Sequence, residues 1–210
     1  MPGLVITIAQ RKGGAGKTTL AAQLAVAWAR QGARVAVLDV DPQGSLAAWV
    51  DLRRGRLGAN AIGFEFAALP GWRAAQWIED RARSADVVVI DNPPHAETEA
   101  QIEVRAAGLV LIPVQPSPLD LWATKATLKL ARDERRRPLI VLNRVPPRSG
   151  LTDRIAADLA QTGTPIAATR IGNRVAFVRA MASGLGVLES AEATAAAAEI
   201  AVLADEVRKG

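Results

Sequence analysis

Ten residues near the start of the chain, "QRKGGAGKTT" (Gln10 to Thr19), leave it few folds to choose from. An apolar run, "LVITIA", precedes them and an alanine-rich stretch, "KTTLAAQLAVAWARQG", follows, so a glycine-rich turn joins a strand to a helix. From Gly14 onward the turn has the short form of a phosphate-binding loop. Backbone amides and Lys17 hold phosphates there, and a hydroxyl reaches Mg²⁺. Such a loop needs one lysine. Lys12, five residues earlier, is a second cation at its mouth.

The same rhythm of short β-branched runs and longer helical stretches continues along the chain. After "ARVAVLDV" come "IGFEFAAL", "WRAAQWIEDRARS", "DVVVID", "GLVLIPV", "LWATKATLKLARDERR" and "PLIVLN", with helical composition again from Ser190 to Arg208. Strands that read as continuous apolar runs are buried on both faces. The pattern therefore predicts one α/β domain over residues 1–210: a twisted, mostly parallel sheet with helices on both faces, of the P-loop NTPase class. At 210 residues, half of them hydrophobic, one well-buried domain fits and two would be cramped. No apolar run approaches the roughly 18 residues of a membrane span, and no signal-peptide arrangement precedes the first strand. A cytoplasmic protein is expected. The absence of cysteine excludes disulfides, thiolate metal sites and protein-held iron–sulfur clusters.

A pI near 10.4 overstates the charge, because the formal net charge is only +5 with no Tyr and one His. Distribution is more informative. Lys125 to Arg179 holds 12 basic and 4 acidic residues, and the rest of the chain is net acidic. This asymmetry suggests a basic surface, although "ARDERRRP" by itself also reads as a solvated helix end.

In sheets of this kind ligands bind at the carboxyl ends of the strands. The second strand runs into "DVDPQGS", which places Asp39 and Asp41 at its exit, and "VVVIDNPPH" ends in the carboxylate, Asp91, that a Mg²⁺-binding strand requires. "VLNR" puts Asn143 where a base can be recognised. Each has a structural alternative, since an Asp after a strand can cap the next helix and an Asn can end a strand. His95, the only histidine, reads as an exposed loop residue. The five tryptophans read as packing or interface residues.

The stretch Lys12-Gly13-Gly14-Ala15-Gly16-Lys17-Thr18-Thr19 resembles the deviant phosphate loop, KGGxGKT[ST], of the ParA/MinD group of ATPases. "LDVDPQGS", "VVVIDNPP", "IPVQPSPLDLWA" and "NRVAFVRAMASGLGVLE" extend the likeness over nearly the whole chain. They look more like small ParA partition proteins without an N-terminal helix-turn-helix domain than like MinD. The resemblance implies that Lys12 crosses to the nucleotide of a second subunit, making dimerisation depend on ATP. It also implies ATP binding by residues 12 to 19, with Thr18, Asp39 and Asp91 around Mg²⁺. Asp41 would position the attacking water beside Lys12, and Asn143 would contact adenine.

The expected function is an ATP-dependent dimerisation switch with slow hydrolysis. It binds DNA without sequence preference through Arg170, Arg174 and Arg179, associates with the nucleoid, and is reset by a ParB-like or small centromere-binding adaptor. The task this implies is plasmid or chromosome partition. Two alternatives stand beside it: positioning of another cargo, and a MinD-like membrane switch. The last is disfavoured because the C-terminal stretch is alanine-rich and acidic rather than a basic amphipathic anchor.

Overall fold

The protein was analysed as a computed structural model, which describes residues 2–94, 97–148, 150–190 and 194–209. His95 lies outside them. The six expected strands form: β1 (Leu4–Ile8), β2 (Val35–Asp39), β3 (Glu65–Ala68), β4 (Val87–Asp91), β5 (Leu109–Val114) and β6 (Arg137–Leu142). They make one sheet in the order β3-β2-β4-β1-β5-β6, and every pairing is parallel. Parallel pairing needs crossovers. Helices α1 (Lys17–Arg30), α2 (Ser45–Leu57), α3 (Gly71–Ser84), α4 (Glu97–Ala106), α5 (Pro118–Asp133), α6 (Gly150–Ala160), α7 (Val175–Ala182) and α8 (Thr194–Lys209) carry the chain between and beyond the strands.

Alternation along each strand divides the core between the two faces. Ile6, Ile8, Val37, Val89 and Leu111 pack with α1, α2, α7 and α8. Their neighbours Val5, Leu38, Val88 and Ile90 face α3, while Val110, Ile112 and Val114 face α5 and α6. Because β1, β4 and β5 are central, their side chains are excluded from water on both faces, which is why they read as unbroken apolar runs. Helix α8 lies along α1, where the fully buried Trp28 donates its Nε1 hydrogen to Ala204 O at 3.1 Å. The apolar stripe of α8, including Ile200, Leu203 and Val207, is thus taken up by the core. No described helix is long and apolar enough to cross a membrane.

Helix α2 turns Leu46, Trp49, Val50 and Arg53 inward, a helical spacing with a cation at its fourth position. Arg53 is 3% exposed. Its guanidinium lies 5.6 Å from the Trp49 ring centroid and 5.7 Å from that of Phe64. It also makes a bidentate pair with Glu189 at 2.7 Å and donates to the carbonyls of Ile62 and Gly184. The fork geometry of Arg suits such a site because several donors are satisfied at once. Arg53→Ala should therefore destabilise the fold by about 3–5 kcal/mol in a denaturant titration, because it strands Glu189 and two carbonyls. Arg54→Ala, which loses an exposed pair with Asp51 and a contact 5.7 Å from the Phe66 ring centroid, should cost no more than about 1 kcal/mol.

Candidate active site

The strand order sets β4 and β5 on either side of β1, so their carboxyl ends surround the glycine-rich loop. Gly16 precedes α1 with φ 92° and no side-chain cap, which leaves the first-turn amides of the helix available to an anion. Two side chains from neighbouring strand ends hold the loop carbonyls. Gln115 Nε2 donates to Gly14 O and Asn143 Nδ2 to Ala15 O, both at 2.8 Å. Glycine is required at position 16 for a second reason: a Cβ there would lie 2.5 Å from Asn143 Nδ2.

Lys17 is 7% exposed and its ammonium donates to Gln10 O at 3.2 Å. Burial pulls its pKa below the ordinary value, against the opposing attraction of Asp91 and Asp41. Thr18 Oγ1 donates to Asp91 Oδ2 at 2.6 Å, while Asp91 Oδ1 is buried without a hydrogen-bond partner. An orphaned carboxylate oxygen beside a threonine hydroxyl fits a hydrated divalent cation, which favours oxygen donors and keeps several waters. Asp39 is committed mainly to the backbone, accepting from Asp41 N at 3.0 Å and Ala47 N at 2.9 Å. It shapes the turn that carries Asp41. The half-buried Asp41 lines the same cleft as the loop and accepts from Gln43 N at 2.9 Å. Among the described residues, no three acidic or histidine side chains converge into a protein-only metal cage.

Lys12 is held inside its own subunit. Its ammonium is paired with the fully buried Asp120, whose Oδ2 also accepts from the Ser117 hydroxyl at the start of α5. Asp120 Oδ1 has no hydrogen-bond partner. Sequence reading did not single out Asp120, because nothing local in "PSPLDLWA" distinguishes a helix-start acid from the partner of a residue 108 positions away. Leu119 and Trp122 stand exposed on the same helix.

This geometry bears on two expectations. Asn143, expected to contact adenine, donates from Nδ2 to Ala15 O and accepts at Oδ1 from the N–H of Arg144, with one donor and one acceptor still open. It braces the loop and forms one wall of an adjoining apolar cavity of about 600 Å³, with Leu20, Ile171, Phe177 and Ile200. The proposed DNA contacts Arg170 and Arg174 are likewise engaged: Arg170 pairs with Asp153 at 2.8 Å, and Arg174 with Glu199 through Nε at 3.0 Å. Arg179 is exposed on α7 and lines a different groove, with Arg56. These three do not form one free basic edge. Arg144, counted in the basic run but given no role at the site, lines both the phosphate cleft and the apolar cavity.

The chain matches the CobQ/CobB/MinD/ParA nucleotide binding domain over residues 6–187. It is 30% identical to maintenance of carboxysome distribution protein A of Halothiobacillus neapolitanus, over 96% of this chain and 95% of that protein. Its counterpart in Gloeobacter kilaueensis is 33% identical, over 88% and 84%. Among solved structures, the cell division ATPase MinD of Pyrococcus furiosus superposes with a TM-score of 0.82 over 99% of both chains at 20% identity.

The buried carboxylates give a pH test. In the unfolded chain Asp91 ionises near 3.8. In the fold burial, opposed by the Thr18 hydrogen bond, pushes it up to about 7. The stability associated with its protonated form is full below the lower value and is lost as pH rises through the upper one. Asp39 is also raised, chiefly by burial. Asp91→Asn should therefore raise the melting temperature of the ligand-free protein at pH 8, and the gain should shrink towards pH 4. A difference from wild type that does not change with pH would contradict this.

Proposed function

The chain belongs to the CobQ/CobB/MinD/ParA nucleotide-binding family, and we propose that within it the protein is an ATP-dependent dimerisation switch that hydrolyses ATP slowly. The observation that carries this reading is Lys12, a second lysine beside a complete phosphate loop and held by Asp120. Opposite a triphosphate in a closed interface, a cation is worth far more than in water. Without nucleotide, two Lys12 ammonium groups approaching each other are repelled, and each keeps its own Asp120.

Residues 13–19 cradle the phosphates, and Lys17 exchanges Gln10 O for phosphate oxygens. Thr18 and Asp91 would hold Mg²⁺, with Asp39 behind them; the ion's contribution is neutralisation of charge on the transferring phosphoryl group. Asp41, half-buried on the cleft wall, orients the water, and Lys12 from the second copy meets the charge that develops. The family also contains small-molecule ligases. Among the described residues, however, the cleft carries no further acid–base pair to serve a second substrate.

Nonspecific DNA binding is part of this proposal. It is supported by the basic surplus of residues 125–179 rather than by the paired Arg170 and Arg174. Positioning of a protein cargo is favoured over plasmid or chromosome partition. Both relatives described above are carboxysome distribution proteins at 30% and 33% identity, whereas the chromosome-partitioning ATPase Soj of Thermus thermophilus matches 96% of this chain at 28%. A small adaptor that stimulates hydrolysis completes the cycle in either case. The engagement of the α8 apolar face in the core counts against a membrane switch.

Light scattering should show monomers without nucleotide or with Mg-ADP, and dimers with Mg-ATP when hydrolysis is blocked. Lys12→Ala should abolish the dimer while retaining ATP, Lys17→Ala should lose ATP itself, and Asp41→Ala should trap the ATP dimer. An undiminished ATP dimer in Lys12→Ala would refute the cross-subunit role. In anisotropy titrations, affinity for random duplex should require Mg-ATP and fall steeply with salt. Equal binding with ADP would remove DNA from the cycle.

A further inference from the structure

We propose that Arg144 is a nucleotide-holding residue acting within its own subunit on the part of the ligand shared by ATP and ADP, where the α-phosphate and ribose pass from the phosphate cleft to the apolar cavity. The proposal rests on the nucleotide reading above and adds a residue to it. Two cavities meet at the loop. One is the polar cleft walled by Lys17, Thr18 and Asp41, and the other is the apolar cavity walled by Leu20, Phe177 and Ile200. Arg144 borders both, and its Nε lies 3.9 Å from the point a Cβ on Gly16 would occupy. The guanidinium therefore stands over the start of α1, at the junction through which a nucleotide with its phosphates on the loop and its base in the apolar cavity must run.

Arg144 combines an uncommitted guanidinium with a place at the site. Arg34, Arg53, Arg81, Arg105, Arg170 and Arg174 each have a carboxylate, whereas Arg144 is exposed on the phosphate cleft with no acceptor among the described residues for its guanidinium. Its backbone is left-handed, as it also is at Arg135 and Arg148. It has φ 51° and is held there by donation of its N–H to Asn143 Oδ1 at 3.0 Å. A non-glycine residue in the left-handed region persists where its surroundings impose it, and such residues gather at ligand sites. Here one side chain, Asn143, fixes both the loop carbonyl and the turn that aims Arg144. Because the α-phosphate and ribose are common to both nucleotides, Arg144 sets how tightly the protein holds its nucleotide in either state. Discrimination between the states is left to Lys12.

The backbone supplies the test. Arg144→Gly removes the guanidinium and suits the positive φ better than arginine does. Without nucleotide it should melt no lower than wild type. Calorimetric titration should show about tenfold weaker binding of both Mg-ADP and a non-hydrolysable Mg-ATP analogue, by the same factor, as expected for the loss of one charge-assisted contact. Arg144→Lys should fall between the two. Unchanged affinities in Arg144→Gly would overturn the proposal. A loss confined to the ATP analogue would overturn it by moving the contact to the γ-phosphate, and a lowered ligand-free melting temperature would do so by making Arg144 a fold residue. Failure of wild type to bind either nucleotide, distinguishable from all of these, would remove the nucleotide reading and this proposal together.

Discussion

The carbonyls of Gly14 and Ala15 are held from outside the loop, by Gln115 at the end of β5 and Asn143 at the end of β6. A glycine-rich turn has many conformations to lose, and a phosphate cradle uses only one. Two neutral side-chain amides from adjacent parallel strands fix that one without adding charge to the site. This works because the parallel sheet delivers every strand end to the same edge. The order β4-β1-β5-β6 places Asp91 on one side of the loop and the two amides on the other. Gln10 continues the bracing beneath it, donating to Pro113 O and Thr124 Oγ1 and accepting from Thr127 Oγ1.

On that fixed platform, the residue proposed to change partner is Lys12. Its present partner, Asp120, is fully buried, with one oxygen shared between Lys12 and Ser117 and the other unpartnered. Withdrawing the ammonium leaves a buried carboxylate largely uncompensated, which is strongly unfavourable. A second copy must therefore offer Lys12 more than Asp120 does. A triphosphate in a closed interface meets that condition more readily than a diphosphate. In the proposed cycle the intramolecular pair would thus set a threshold that lets the number of phosphates decide the state of assembly.

The sheet was legible because its central strands are buried on both faces, and that leaves β-branched runs in the sequence. The phosphate loop was legible because glycine, lysine and threonine at fixed spacing are local chemistry. Arg53 was not. At the fourth position of the α2 stripe, where an apolar residue is expected, a cation reads as solvent-facing until Trp49, Phe64 and Glu189 are brought around it. Asp120 and Arg144 were missed for the same reason. Each takes its meaning from a residue far along the chain or from a cavity that exists only in the fold. For Asn143 the position was legible, and the fold adds a bracing role that the sequence did not show, since a strand-end amide can face a base or a loop carbonyl equally well.

Charge shows the same limit most sharply. A surplus counted along residues 125–179 treats every cation as available, yet the fold pairs Lys129 with Asp133, Arg170 with Asp153 and Arg174 with Glu199. Arg132 is turned to the carbonyl of Thr162. A paired charge is a dipole, and its field beyond a Debye length of about 8 Å at physiological salt is small. Glu199 comes from outside the basic run to pair with Arg174, while Glu134 inside it is spent on Arg105 outside, so a window of sequence misjudges the compensation in both directions. What remains on one subunit for a polyanion is a scatter of single cations, each worth little alone. Assembly changes that, because phosphate contacts from two linked copies multiply rather than add in affinity. On the proposed reading, the weaker the single-subunit surface, the more completely any DNA binding would be tied to dimerisation, and hence to the nucleotide on the loop.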